Sequence, residues 1–288
     1  MKYIKLRRLL PVCLVIALIG FTACTKESDE VTSDADEAES IATDEAIIDD
    51  LFEDVDFISD EAASYEEENE EGRVEADDSA LLADCVGLRG ERRLEEGIYT
   101  KIITLDFQEG CQGPNGRERQ GTMMITRIAN SNESTYSVST TFENFYLDGR
   151  KIEGTRTRVY TTPKLGVHQV DITLTGGKVT LEDGRIIQRE GTFTKTWNRK
   201  SGEISVEGSA SGVNRNGVAY STTITSPLLY KQDCFSEGVF MAVQGNRTIS
   251  RTNKADATIA YGEGECDKTV ALTLNGESHT IELTLTKN

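Results

Sequence analysis

Apolar and polar residues alternate along most of the chain after Cys85. In the clearest segment one face carries His168, Val170, Ile172 and Leu174, while the residues between them are polar. The same alternation recurs over residues 136–146, 218–224 and 279–285. A period of two is typical of strands with one buried and one solvated face. Because no segment after Cys85 shows a helical period, the sequence predicts an all-β domain over residues 85–288.

Turn signals divide this region into hairpins. Asn-Gly or Asp-Gly dipeptides begin at residues 115, 148, 183, 216 and 275, and the first four lie about 34 residues apart. Both residue types tolerate the positive φ angles of type I′ hairpin turns. We therefore predict an antiparallel meander of about 10–12 strands. A meander of that size has to hide its apolar face, so we expect a sandwich or a barrel.

One helical stripe precedes the strands. Apolar residues recur at spacings of three and four over residues 43–63, namely Ile47, Ile48, Leu51, Phe52, Val55 and Ile58. This spacing predicts an amphipathic helix with acids on its other faces. We expect it to dock on the β domain or to form transiently; the alternative is a segment that folds on a partner. The residues before it, 28–45, lack aromatic side chains and are expected to be disordered.

The formal charge of −18 is concentrated in one region. Residues 25–84 carry 25 acidic and two basic side chains, whereas residues 85–288 carry 24 acidic and 25 basic ones. This distribution predicts an acidic tether over residues 24–84 and a nearly neutral domain. It argues against nucleic acid as a partner, because that affinity depends on basic residues that neutralise phosphates.

The first 24 residues have the order of a secretory signal. A basic start, Met1–Arg8, precedes the apolar run Leu9–Ala23, which is too short to span a bilayer of about 30 Å. The run ends in Phe21-Thr22-Ala23-Cys24, which resembles the lipobox of bacterial lipoproteins. The resemblance implies a signal peptide over residues 1–23 and lipidation of Cys24. The protein would then be membrane-anchored through its N-terminal lipid.

The residues after Cys24 refine the expected address. Lys26 followed by Ser28 and acidic residues resembles the surface-export signal of Bacteroidota lipoproteins. It implies an outer-membrane protein that faces the cell exterior, with the periplasmic face as the alternative. Asp78-Ser79-Ala80 resembles the O-glycosylation pattern of secreted Bacteroidota proteins, which makes Ser79 a candidate glycosylation site.

Four cysteines remain once the signal and Cys24 are set aside. Cys111 and Cys266 each follow a strand and a glycine, and each has a cysteine 26 or 32 residues before it. We therefore predict two disulfides, Cys85–Cys111 and Cys234–Cys266, as suits an oxidising envelope. The alternative of a four-cysteine zinc site lacks any Cys-x-x-Cys spacing, so we expect no metal site.

No motif in the sequence indicates enzymatic catalysis. The two histidines, His168 and His279, fall in phase with apolar positions, as core or rim histidines do. No phosphate-binding loop, dinucleotide fingerprint or zinc-protease motif occurs, and we expect no cofactor. Arg150, Arg156 and Arg158 share one strand face and form a candidate site for an anionic glycan; ordinary cross-strand pairing with glutamate is the alternative.

Three segments of the β domain, residues 105–111, 148–157 and 208–217, have a recognisable pattern. Through them the domain resembles a group of Bacteroidota surface lipoproteins without a known activity. The resemblance implies a location at the outer membrane and an all-β fold. We expect a non-enzymatic lipoprotein that binds a protein or glycan partner or serves as a structural coat. A carrier of lipid or another small ligand is the alternative, and a hydrolase is the third hypothesis.

Overall fold

A computed structural model describes residues 33–70, 85–113, 116–130, 132–164, 167–198, 201–231, 233–234 and 241–283. The predicted signal peptide, Cys24, the export signal and Ser79 lie outside these residues. Residues 33–288 belong to one compact unit.

The described chain contains one helix followed by fourteen strands. The helix is α1 (Asp34–Glu70). The strands are β1 (Gly87–Glu95), β2 (Ile98–Asp106), β3 (Cys111–Gln112), β4 (Glu118–Asn130), β5 (Tyr136–Leu147), β6 (Arg150–Lys164), β7 (Val167–Thr180), β8 (Ile186–Asn198), β9 (Glu203–Val213), β10 (Ala219–Lys231), β11 (Gln244–Arg251), β12 (Ala257–Glu263), β13 (Thr269–Leu274) and β14 (Glu277–Glu282).

These strands form a single antiparallel meander in chain order, with the short β3 paired to β4. The predicted all-β class and the meander are confirmed. The sheet has two more strands than the upper end of our prediction, and it is neither closed nor divided into two layers, since β1 and β14 are its edges. The helix resolves the burial problem that led us to expect a sandwich or a barrel, because it covers the inner face of the sheet.

Helix α1 begins nine residues earlier and ends seven residues later than the predicted stripe. Its start is a capping box: Ser33 Oγ accepts a hydrogen bond from the Asp36 amide at 3.1 Å, and the Asp36 carboxylate accepts one from the Ser33 amide at 3.2 Å. Every residue from Ile41 to Asp56 is buried or half-buried. The sheet therefore wraps around the helix, and residues 34–45, which we expected to be disordered, are helical.

The apolar side chains of α1 divide between two clusters. Those from Ala38 to Ala46 pack with residues of β9–β14, whereas those from Ile47 to Ala62 pack with residues of β2–β8. A helix of 37 residues is about 55 Å long. It therefore runs across the strands, and one element holds both halves of the sheet.

β-Bulges bend the strands around the helix. The pairing register shifts between Gln120 and Thr122 and again between Gln244 and Asn246. At these shifts Gly121 and Gly245 have φ angles of 79° and 108°. A Cβ atom on Gly121 would lie 2.0 Å from the Asn144 carbonyl oxygen, so the two backbones approach too closely for any other residue. Such bulges bend the bulged strand and increase its twist, as a sheet that encloses a helix requires.

The turn chemistry agrees with the sequence in part. Asp148-Gly149 and Asn275-Gly276 each have two positive φ angles, as type I′ turns require. At Asp183-Gly184 and Asn216-Gly217 only the glycine is positive. Glu96-Gly97, which joins β1 to β2, also has two positive φ angles and escaped prediction because glutamate rarely adopts this conformation.

Both predicted disulfides are confirmed. Cys85 bonds to Cys111 with their Cα atoms 5.7 Å apart, and Cys234 bonds to Cys266 with a separation of 5.2 Å. The first joins the chain just before β1 to β3.

The outer face of the sheet is covered with hydroxyl side chains. One cross-strand row runs through eleven consecutive described strands of the main path, from β4 to β14, and carries only threonine or serine. Its members are Thr126, Ser139, Thr157, Thr173, Thr192, Ser209, Thr223, Thr248, Thr258, Thr273 and Ser278. These residues suit an exposed strand face, because their branched or small side chains favour the extended backbone and their hydroxyls stay in water.

Candidate functional site

The most unusual chemistry of the described chain lies between α1 and the inner face of the sheet. The helix carries 17 acidic residues and no basic ones. Among the described side chains, ten of these acids form ion pairs with ten cations of the strands and turns. We call these twenty residues the charge array. The acids are Asp34, Glu37, Asp44, Glu45, Asp49, Asp50, Glu53, Asp54, Asp56 and Asp60; the cations are Arg117, Arg119, Arg156, Arg158, Arg189, Lys195, Arg215, Arg247, Arg251 and Lys254.

The centre of the array joins two strands that are far apart in sequence. Arg247 of β11 donates to Glu45 at 2.7 Å and to Asp49 at 2.8 Å. Arg189 of β8 donates to Asp49 at 2.6 Å. Tyr220 adds a hydrogen bond from its hydroxyl to Glu45 at 2.7 Å. Glu45 is fully buried and Arg247 nearly so, which makes these charge-assisted bonds within a low-dielectric interior.

The pKa values at this centre favour the charged pairs. Burial alone would raise the pKa of Asp49, but Arg189 and Arg247 lower it to about 2. Burial would lower the pKa of Arg247, yet Asp49 and Glu45 hold it well above its ordinary value. Burial raises the pKa of Tyr220, and Glu45 raises it further, so its hydroxyl remains a donor.

A second group of pairs fixes the C-terminal half of α1. Arg119 donates to both oxygens of Asp54 at 2.6 and 2.8 Å. Arg156 forms a fork with Asp56 at 2.8 and 2.7 Å. Arg158 pairs with Asp60 at 2.9 Å and lies 3.3 Å from Asp56. These bidentate contacts set the rotation of the helix as well as its position.

The N-terminal half is held through turns at the ends of strands. Asp44 accepts hydrogen bonds from the backbone amide and the side chain of Arg215, in the turn between β9 and β10. Lys254 lies 2.9 Å from both Asp34 and Glu37. Burial raises the pKa of Asp44, and Arg215 offsets that effect only partly.

The candidate glycan site has to be corrected. Arg156 and Arg158 are buried, with 6% and 3% exposure, and face Asp56 of the helix. Arg150 is half-buried, and its charge acts on Asp50 of the same helix. The three arginines do share one face, but that face is the inner one. For Arg156 and Arg158 the opposite charge comes from Asp56 and Asp60 of α1.

Sequence reasoning missed the array because it considered the acidic segment and the strands separately. The sequence does contain one signal of the array: several basic residues are in phase with the buried apolar residues of their strands. Arg247 and Arg251 alternate with Ile249 on the buried side of β11, and Arg189 is in phase with the buried Ile187 of β8. Cations at core positions require buried anions nearby. The acidic helix was the obvious source of them.

The histidines lie where their phase indicated. His168 is half-buried on the inner face with its ring 6.0 Å from that of Trp197. His279, on β14, lies 3.6 Å from Glu39 at the rim of the sheet. Within the described chain, no three His, Cys, Asp or Glu side chains cluster as ligands for a metal ion.

The interior leaves little room for a ligand. A void of about 30 Å³, far smaller than a ligand cavity, lies beside Asp49, Glu53, Arg156 and Arg189. The larger hollows found among the described residues are open ones, such as that over Thr173, Thr192 and Ser209 on the outer face. No helix in the described part of the chain is long and apolar enough to cross a membrane.

Comparison of the chain with protein-family models, curated proteins and solved structures finds no match.

Proposed function

We propose that this chain is a lipid-anchored, outer-membrane lipoprotein that faces the cell exterior. Its β module would have a non-enzymatic role, as part of a structural coat or as a partner-binding surface. The signal-like start, the residues before Cys24 and the acidic motif after it support the address. The occupied inner face of the sheet supports the role.

That occupied face is the observation on which the role rests. A carrier of small ligands needs a continuous cavity of several hundred Å³ lined mainly by apolar side chains. In the described structure the corresponding space is filled by α1 and lined by the charge array. This favours the coat or partner-binding role over the carrier. A partner would meet the hydroxyl-covered outer face, the turns or the sheet edges.

The position of α1 also changes the role expected of the acidic region. Of the 25 acids in residues 25–84, 17 belong to α1, where most of those described pair with the sheet. Only nine residues separate Cys24 from Asp34. Nine residues reach at most about 30 Å when fully extended. A lipid on Cys24 would thus hold the module close to the membrane surface, without a long repelling stalk.

The anchor is tested by replacing Cys24. The Cys24→Ala variant should incorporate no labelled palmitate and should appear in the soluble fraction, whereas the wild-type protein floats with membranes. A Cys13→Ala variant is the matched control and should behave as wild type, since Cys13 lies inside the predicted signal. Membrane flotation of the Cys24→Ala variant would refute the lipidated anchor.

The surface address and the filled interior need separate measurements. Protease added to intact cells should degrade the wild-type protein while a periplasmic marker survives; protection of both would place it on the periplasmic face. Native mass spectrometry of the detergent-extracted protein should show no bound molecule beyond the covalent acyl chains. A stoichiometric bound lipid would instead favour the carrier.

A further inference from the structure

We propose that β1 is a homodimerisation edge, at which two copies of the chain join their sheets through antiparallel pairing of β1 with β1. The proposal rests on the geometry of the sheet and stands whether or not Cys24 is lipidated.

Strand β1 is the least covered strand of the sheet. It pairs with β2 over nine residues, and no described strand lies on its other side. Eight of its nine residues are exposed, on both faces. Its outer edge therefore presents a long row of unpaired backbone donors and acceptors, which is the template that a further strand requires.

The charges on the outer face of β1 alternate in sign. Arg89, Glu91, Arg93 and Glu95 point to the same side, because they are two residues apart. Their neighbours across β2 are Thr104, Ile102, Thr100 and Ile98, so β2 offers no opposite charge. Within the described structure none of the four forms an ion pair. A strand that paired at the open edge could supply their complement.

A second copy of β1 supplies that complement. Along the outer face of β1 the charges run positive, negative, positive, negative. An antiparallel second copy runs the other way, so it presents negative, positive, negative, positive. Antiparallel pairing with the two-fold axis at Arg92 places Arg89 opposite Glu95 of the second copy. The same register places Glu91 opposite Arg93. All four cross-strand neighbours on the outer face are then opposite in charge, which stabilises the pairing. Such an interface is isologous and closes as a dimer.

The inner face of the same register covers an exposed apolar side chain. Leu94 is 72% exposed, the largest value among the bulky apolar residues described. In this register it lies opposite Gly90 of the second copy, where no side chain blocks it. Burial of Leu94 against the second strand would add apolar stabilisation to the charge pairs.

The other edge of the sheet shows the contrast. Strand β14 carries Glu277 and Glu282, two charges of one sign, and no basic residue except His279. A second β14 would be repelled, which is how edge strands are commonly protected from association. The two edges therefore differ: at β1 four pairs of opposite charge outweigh the one like pair, Arg92 with Arg92 of the second copy at the axis, so self-pairing is favoured there.

Charge reversal tests the proposal in the full-length protein in detergent micelles. Sedimentation at low ionic strength should give the wild type twice the protein mass of a monomer. The Arg89→Glu/Arg93→Glu variant has four acids on this face, and the Glu91→Arg/Glu95→Arg variant has four arginines. Each alone should be monomeric, and their mixture should recover the dimer. A cooperative thermal transition in each would show that both variants fold.

The register is tested by single cysteines. Arg92→Cys places two thiols at the two-fold axis and should give a covalent dimer under mild oxidation. In the same register the two thiols of the Gly90→Cys variant are four residues out of step, so this variant should not form a covalent dimer. A monomeric wild type, dimers of either charge variant alone, or equal cross-linking at both positions would each overturn the proposal.

Discussion

At the residue scale, Arg247 shows how the charge array fixes the position of α1. Its guanidinium joins Glu45 to Asp49 in a site from which water is almost excluded. Burying such a group is costly, and its pairs mainly repay that cost. The array therefore contributes more to selecting one position of α1 than to net stability, because any shift of the helix leaves charges unpaired.

Replacing Arg247 should expose this dependence. The Arg247→Met variant leaves Glu45 and Asp49 with Arg189 alone, so we expect the free energy of unfolding to fall by about 3–5 kcal/mol in urea titrations. The matched control is Arg185→Met, which removes an ion pair with Asp183 whose partners are each about half exposed. That change should cost less than about 1 kcal/mol. Equal losses would contradict a special role for burial.

The depressed pKa of Asp49 predicts a pH dependence of stability. The folded state holds this carboxylate charged, so its contribution is complete above the unfolded pKa of 3.8 and is lost as pH falls through about 2. Between neutral pH and about pH 3, wild type should lose about 1 kcal/mol relative to Asp49→Asn in urea titrations.

Asp44 provides a control of opposite sign. Its pKa is raised by burial, so the folded state takes up a proton more readily than the unfolded state as pH falls. Wild type should therefore gain stability relative to Asp44→Asn over the same range. If wild type changed stability in the same direction relative to both variants, the opposite pKa shifts assigned to Asp49 and Asp44 would be contradicted.

At the scale of the element, periodicity predicted the strands and the core of α1. The phases of His168–Leu174 and of β11 identify buried faces, and the turn dipeptides at 148 and 275 give hairpins as expected. The full length of α1 was not predictable from local composition. Residues 34–45 lack the apolar content to fold alone, and their helix depends on Arg215, Arg251 and Lys254, more than 150 residues away.

The curvature of the sheet depends on glycines at bulges, of which Gly121 gives the sharpest test. Its φ of 79° nearly equals the 80° of Gly217, but a Cβ on Gly121 would meet the Asn144 carbonyl, whereas Gly217 has open space. We expect Gly121→Ala to cost at least about 2 kcal/mol and Gly217→Ala about 1 kcal/mol. Thermal denaturation of both variants separates steric crowding from backbone strain.

At the scale of the whole molecule, the sheet and α1 are interdependent. Deletion of residues 34–70 would leave ten cations facing the inner side of the sheet without their anions, together with an uncovered apolar face. We expect that variant to show no cooperative thermal unfolding by circular dichroism. Deletion of residues 25–32, which precede the compact unit, should leave the transition intact. A cooperative transition without α1 would show that the sheet is autonomous.

The order of α1 before the strands has a consequence for biogenesis. Glu45 finds its partner Arg247 only 202 residues later, and contacts this distant in sequence slow folding. An emerging chain would therefore lack Arg247, Arg251 and Lys254, and part of its acidic helix would stay unpaired, until β11 and the turn after it had been synthesised. A product truncated before β11 would keep acidic residues of α1 without ion-pair partners. These unpaired acids distinguish an incomplete chain from a complete one when folding begins.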